Sequence, residues 1–245
     1  MLCMYFYSVI FGDIRYVYMA MMMLKSLESV PTEGHILIVS QALVSVIESL
    51  NFFGDPRFRI IVVPAPRDGY DGMRYRYILP EIFDCTGKDF TYIDCDMLFV
   101  RDYTIIIPTD SFLVYNEGMI ENTDYSGSDT FMTISPGQKG LTSGFFMFNY
   151  GSKVAATFQR ILASMDCTAR FYTLDQPHFN KALYSDDVQI EFLPDTFLCD
   201  NMHSALDTCK FVNFCGDPGN GEAHFRKMFD IFTTGFHSLL ASLQN

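Results

Sequence analysis

Two aspartates one residue apart, Asp94 and Asp96, follow the apolar run Phe90-Thr91-Tyr92-Ile93. The stretch from Phe90 to Val100 begins as an apolar run rich in β-branched and aromatic residues, which reads as a buried strand that delivers the two carboxylates. Side chains alternate across a strand, which would put both carboxylates on one face and Cys95 on the other. Carboxylates held that close repel each other unless a positive charge sits between them. A hard divalent cation with oxygen ligands, Mg²⁺ or Mn²⁺, answers that need, and such a cation brings a phosphate with it. The competing reading is a strand that simply ends in a solvated acidic turn.

The chain before this pair alternates between the two periodicities that define strands and helices. Tyr5 to Phe11 reads as a strand and Gly12-Asp13 as a turn, after which Tyr16, Met19, Ala20, Met23, Leu24 and Leu27 fall on one helical face. Ile36 to Val39 is a second strand, and Leu43, Val46, Ile47 and Leu50 mark a second helix. Arg59 to Val63 is a third strand bounded by Pro64 and Pro66, and Met73 to Phe83 a third helix despite Pro80. Such alternation implies an α/β fold, a Rossmann-like and mainly parallel sheet flanked by helices. Ligands of such sheets bind beyond the carboxyl ends of the strands, so Asp13 and the Asp94/Asp96 pair are expected on one rim.

The second half is less regular. Residues 116–139 are polar and read as a long loop or a lid over that rim. Phe145 to Phe148 is a short strand entered through Leu141-Thr142-Ser143-Gly144, and Val154, Phe158, Ile161, Leu162 and Met165 mark a helix. Gln189 to Leu193 and Phe211 to Phe214 read as further strands, and Glu222 onward as a closing helix. No internal repeat or linker divides the chain. One domain over residues 1–245 is expected, with halves at 1–100 and 101–245.

Composition narrows the partners. Hydrophobic residues make up 49% of the 245 and charged residues 19%, which suits a packed globular core. A formal net charge of -12 excludes the basic stripe of a nonspecific nucleic-acid binder. It also requires that an anionic substrate be met by a metal or by a few well-placed basic residues. The seven cysteines are scattered, without a Cys-x-x-Cys pair, and read as thiols in a reducing compartment. The N-terminus lacks a basic leader, and the uncharged stretch from Tyr16 to Leu24 is too short to span a bilayer. A cytoplasmic protein with no membrane span is the expectation.

Four segments, in this order, together resemble the nucleotide-sugar glycosyltransferases of the GT-A fold, particularly glycosyltransferase family 8. Gly12-Asp13-Ile14-Arg15-Tyr16 is similar to that family's nucleotide-binding turn, and Tyr92-Ile93-Asp94-Cys95-Asp96 to its metal-binding Asp-x-Asp. Thr142-Ser143-Gly144 resembles its Asn-Ala-Gly segment, and Asp175-Gln176-Pro177-His178-Phe179-Asn180 its Asp-Gln-Asp-x-x-Asn segment. The resemblance extends over residues 5 to about 220. It implies a metal-dependent transfer of a sugar from a nucleotide-sugar donor, a UDP-sugar by the family-like turn, to a glycan, protein or small-molecule hydroxyl. Asp13 would accept a hydrogen bond from the base and Tyr16 would stack on it. Arg76 would reach toward nucleotide and sugar, although a surface helix arginine is the plain alternative. Asp94 and Asp96 would hold Mn²⁺ or Mg²⁺ against the diphosphate. Ser143-Gly144 would let the backbone approach the donor sugar, since Gly lacks a Cβ. Asp175 and Gln176 would face the anomeric carbon, and Asp175 also stands where a helix N-cap would.

Two departures from the family pattern stand out. The family's C-terminal His-x-x-Gly, a source of its third metal ligand, is matched here by Asn213-Phe214-Cys215-Gly216. The third ligand is then either the Asn213 amide oxygen or His224, with Lys227 as the basic residue for the diphosphate. Pro177 also replaces the second acid of the Asp-Gln segment. The implied transition state resembles an oxocarbenium ion, and the resemblance favours retention of configuration. Two other functions compete: a noncatalytic nucleotide or sugar binder, and a phosphohydrolase of the haloacid-dehalogenase type. The latter normally places a threonine where Leu98 stands and begins its domain at the acidic pair.

Overall fold

A computed structural model describes residues 4–128, 130–133, 135, 137–167, 170–185, 187–199, 209–214 and 221–234. The chain runs β1 (Met4–Ile10), α1 (Arg15–Ser26), β2 (Gly34–Ser40), α2 (Val44–Ser49), β3 (Phe58–Val63), α3 (Gly69–Met73), α4 (Leu79–Ile82) and β4 (Asp89–Ile93). It continues through β5 (Met97–Phe99), β6 (Ser111–Met119), α5 (Thr123–Ser126), β7 (Lys139–Asn149), α6 (Ser152–Cys167) and α7 (Gln176–Ser185). The last elements are β8 (Gln189–Phe192), β9 (Leu198–Cys199), β10 (Phe211–Asn213) and α8 (Gly221–Thr234).

Seven strands form the main sheet in the order β3-β2-β1-β4-β7-β6-β8. The first four strands of that order are parallel, with β1 between β2 and β4; β7 then runs antiparallel to both β4 and β6. Buried on both faces, β1 and β2 need apolar residues at nearly every position, which is why they read as continuous hydrophobic runs. On one face Phe6, Leu37, Ile93 and Phe145 pack with Met19 and Met23 of α1 and Met228 of α8. On the other, Tyr7, Ile36, Phe90, Tyr92 and Phe146 pack with Phe158 of α6 and Phe179 of α7. A small second sheet, β5-β10-β9, joins the first of these layers.

Three expected elements take another form. The acidic pair does not follow strand geometry: β4 ends at Ile93 and β5 starts at Met97, with Asp94-Cys95-Asp96 between them. The turn is secured by the Asp94 N–H donating to the Gly144 carbonyl at 3.0 Å and the Phe214 N–H donating to the Asp96 carbonyl at 2.9 Å. The two carboxylates are therefore aimed by a turn, not by strand alternation. In place of one helix over 73–83 there are α3, a 3₁₀ turn at Arg74–Arg76, and α4, which carries Pro80 in its first turn, where its missing N–H costs no helical bond. The polar stretch 116–139 is not all loop. Residues 116–119 complete β6, residues 123–126 form α5, and β7 begins at Lys139, so the short strand expected at 145–148 spans residues 139–149. No helix among the described residues is long and apolar enough to cross a membrane.

Candidate functional site

The carboxyl ends of β1, β2 and β4 open onto a cavity of about 920 Å³. Gly12 and Tyr16 after β1, Ser40 and Ala42 after β2, and Asp94-Cys95-Asp96 after β4 line it. Thr142-Ser143-Gly144 of β7, Asp175-Gln176 at the start of α7, and Asn213 of β10 line it as well. Gly12 has φ +84°, a left-handed conformation that turns the chain sharply into α1. Asp13 does not line the cavity. Its half-exposed carboxylate receives the backbone N–H and guanidinium of Arg15, at 2.9 Å and 2.9–3.2 Å.

Arg76 lies at the centre of the site and is 5% exposed, so the surface-arginine alternative fails. Its Nη2 donates to both oxygens of Asp94 at 2.8 and 2.7 Å, and its Nη1 to both oxygens of Asp175 at 3.0 Å. Nη1 also reaches Ser143 Oγ at 2.9 Å, and Nε donates to the Tyr92 hydroxyl at 2.8 Å. Tyr92 in turn donates to Asp94, Tyr77 donates to Asp175, and the Tyr7 hydroxyl donates to the Arg76 carbonyl at 3.0 Å. Burial alone would favour a neutral Arg76, but Asp175 and Asp94 outweigh it and raise the guanidinium well above its ordinary value. Asp94 is pushed up to about 7: burial dominates, the Arg76 charge opposes it, and Asp96 adds repulsion. Sequence reasoning reached Arg76 but missed Tyr92 and Tyr77. Tyr92 was accessible, since it lies two residues before Asp94; Tyr77 adjoins Arg76 but carries no pattern of its own.

Asp96 differs from Asp94. Burial raises its carboxyl as well, yet its Oδ1 is buried and has no hydrogen-bond partner among the described residues. An orphaned buried oxygen on a carboxylate that lines a cavity is costly unless something binds it. Asn213, 4% exposed and on the same cavity wall, offers an amide oxygen nearby in the fold. No cluster of three His, Cys, Asp or Glu exists among the described residues. Two aspartates plus an amide is instead an all-oxygen donor set, which fits a hard cation. The side chain of His224 and the Cys215-Gly216 pair lie outside the described residues. Lys227 is exposed on α8 and does not line the cavity.

The remaining residues show why the backbone takes this course. A Cβ on Gly144 would stand 2.8 Å from Asp94 Oδ2, so this position must be glycine for the carboxylate to lie against β7. Gln176 is a strut: its Oε1 accepts from the Ser143 N–H at 3.3 Å and its Nε2 donates to the Asp124 carbonyl at 3.2 Å. Asp175 occupies the N-terminal end of α7, where its carbonyl accepts from Phe179 N–H at 3.0 Å, while its carboxylate is spent on Arg76 and Tyr77. Leu174, just before it, has φ +57°, an uncommon conformation for a non-glycine residue and one found preferentially at functional sites.

The structure is similar to the crystal structure of the galactosyltransferase LgtC in complex with donor and acceptor sugar analogues. The TM-score is 0.62 over 94% of this chain and 95% of that one, at 16% sequence identity. At that identity the likeness is one of fold, and the chain has the α/β fold of the GT-A type expected from its sequence. No protein-family model matches the chain, and no curated protein matches it in sequence.

Proposed function

We propose that this chain is a metal-dependent glycosyltransferase that moves a sugar from a UDP-sugar to a hydroxyl acceptor with retention of configuration. One observation carries the reading. In a GT-A type fold, the acidic turn after β4 and the Asp175-Gln176 segment meet at a single buried arginine on the cavity wall, and the free carboxylate oxygen belongs to Asp96. In this reading residues 1–100 bind the nucleotide and residues 101–245 serve the sugar and the acceptor, which is a glycan, a protein or a small molecule in the cytoplasm.

Asp96, Asn213 and Asp94 would hold the cation, Mn²⁺ or Mg²⁺, with Asp94 shared between it and Arg76. His224 is the alternative third ligand. When bound, the cation acts as a Lewis acid that offsets charge on the departing diphosphate. Every other role falls to the chain itself. Gly12 leaves space beside Tyr16, whose ring would stack on the base, with Asp13 reaching the base after leaving Arg15. Gly144 lets the donor sugar approach the strand. Arg76 would hold the Asp175 carboxylate in place beside the sugar, where a fixed negative charge stabilises an oxocarbenium-like transition state. Asp175 has both oxygens engaged by Arg76 and Tyr77, which disfavours it as a covalent nucleophile and supports attack on the face that the phosphate leaves. Gln176 braces Ser143 against the Asp124 carbonyl and so fixes the sugar end.

Calorimetry tests the nucleotide half of the proposal. Uridine diphosphate should bind in Mn²⁺ and lose that affinity in excess EDTA, and it should bind more tightly than guanosine diphosphate. Undiminished binding in EDTA overturns the metal assignment, and equal affinity for the two nucleotides overturns the uridine preference.

A further inference from the structure

The cavity extends past the nucleotide half. In sheet order its lining runs from Ser40 at the end of β2, past β1, β4 and β7, to Glu117 on β6, about 19 Å at the usual spacing of strands. At the β6 end two segments interlock. Tyr125 of α5 lies so close to the β6–β7 hairpin that a Cβ would stand 3.1 Å from its ring on Gly118 and 2.4 Å on Gly140. A Cβ on Gly127, just after α5, would stand 2.7 Å from the Phe171 ring. Thr173 Oγ1 donates to the Asp124 carbonyl at 2.7 Å, the same carbonyl that Gln176 meets. Held by these anchors, residues 171–174 form a tight turn, closed by the Leu174 N–H donating to the Phe171 carbonyl at 3.1 Å and ending in the left-handed Leu174. The side chain this turn displays is Tyr172. It is 68% exposed and, among the described residues, the one exposed large hydrophobic side chain that lines the cavity. An uncommon backbone conformation that holds a large ring out in water does nothing for the core, and such conformations cluster where ligands are clamped.

Resting on the sugar-transfer reading above, we propose that Tyr172 is the platform for the acceptor, and that the acceptor is an uncharged pyranose, free or at the end of a glycan. A pyranose presents a face of C–H groups and an edge of hydroxyls. The C–H face packs on an aromatic ring, whose π-face is negative, and the hydroxyls donate to carboxylates. Both partners are present at this end of the cavity. Tyr172 stands three residues before Asp175, which that reading sets beside the donor sugar, and Glu117 and Asp124 line the same cavity. Charge narrows the acceptor further. Arg170 is engaged by Asp68 at the cavity's edge, so an acceptor bearing a carboxylate or phosphate would meet Glu117 and Asp124 without a guanidinium to offset them. A serine or threonine hydroxyl on a peptide has no C–H face to lay on the ring. In the transfer, the acceptor hydroxyl oxygen bonds to the anomeric carbon, the bond from that carbon to the diphosphate oxygen breaks, and the hydroxyl proton leaves on the diphosphate. Tyr172 takes no part in those bonds and sets only the place of the acceptor.

The test measures binding and transfer separately on the full chain. Saturation-transfer NMR, with Mn²⁺ and uridine diphosphate present, is run over methyl pyranosides, the matching uronic acids and a serine/threonine peptide; the same compounds are then offered as acceptors with a panel of UDP-sugars. At least one methyl pyranoside should bind, with the strongest transfer on the C–H groups of one ring face, and should speed release of uridine diphosphate. Its uronic acid should bind several-fold more weakly. Tyr172→Ala should weaken pyranoside binding roughly tenfold and raise the acceptor KM to match, with kcat little changed, and Tyr172→Phe should restore both. Because the side chain is exposed, Tyr172→Ala should melt within about 2 °C of wild type. The inference is overturned if no pyranoside binds, if the peptide is the acceptor instead, if the uronic acid binds equally well, or if Tyr172→Ala binds as wild type does. Pyranoside binding that is lost in Tyr172→Ala, with no uridine diphosphate released from any donor, upholds the platform and overturns the transferase reading.

Discussion

Replacing Arg76 with methionine retains most of the side chain's volume and removes all of its charge and donors. The guanidinium makes six hydrogen-bond contacts, and the variant leaves Asp175, 1% exposed, and Asp94 facing each other without a counter-charge. Breaking a buried ion pair by removing one partner costs about 3–5 kcal/mol. For a chain of 245 residues that corresponds to a fall in melting temperature of roughly 6–20 °C. The chain contains no tryptophan, so urea unfolding is best followed by circular dichroism, in EDTA so that no cation replaces the lost charge. Asp175→Asn in the Arg76→Met background should recover at least about 1 kcal/mol, because it removes one of the two uncompensated charges while Tyr77 keeps a partner. The reasoning fails if Arg76→Met costs less than about 1 kcal/mol, the level of a solvated surface pair. It fails equally if Asp175→Asn destabilises the single variant further.

Gly144→Ala places a Cβ 2.8 Å from Asp94 Oδ2 and should cost about 1–3 kcal/mol in a urea melt. It should also abolish calorimetric binding of nucleotide with Mn²⁺; a variant that binds as wild type does removes Asp94 from the site. His35 is 2% exposed between Phe6 and Phe58, and burial pushes it down to about 4. The unfolded chain therefore binds the extra proton between pH 6.5 and 4, and stability falls as pH drops through that window by about 1.4 kcal/mol per unit. Compared at pH 7.5 and pH 4.5, His35→Phe should escape roughly 2–3 kcal/mol of that loss; parallel losses in the two proteins would show that His35 is protonated in the fold.

The parallel half of the sheet was legible because β1, β2, β3 and α1 obey a single periodicity each. A strand buried on both faces is apolar throughout, and α1 shows its face every three or four residues. The acidic turn was legible in composition but not in shape, since what ends β4 at Ile93 is a pair of long-range backbone bonds to Gly144 and Phe214. Neither leaves a mark near residue 94 in the sequence. β6 and β7 extend past the core on polar residues such as Asn116 and Glu117, which read as loop because their strand conformation comes from pairing across the hairpin rather than from burial. Arg76 shows the same limit at one side chain. Its neighbours in sequence describe a helix surface, and only the meeting of β4, β7 and α7 buries it.

The central claim, sugar transfer from a nucleotide donor, is most directly tested by incubating the protein with Mn²⁺ and a panel of nucleotide sugars without acceptor. The account predicts slow release of uridine diphosphate from one UDP-sugar, lost in EDTA and in Asp96→Ala while that variant's melting temperature without metal stays at or slightly above wild type. Release of inorganic phosphate instead, binding without any donor cleavage, or full cleavage by Asp96→Ala contradicts it.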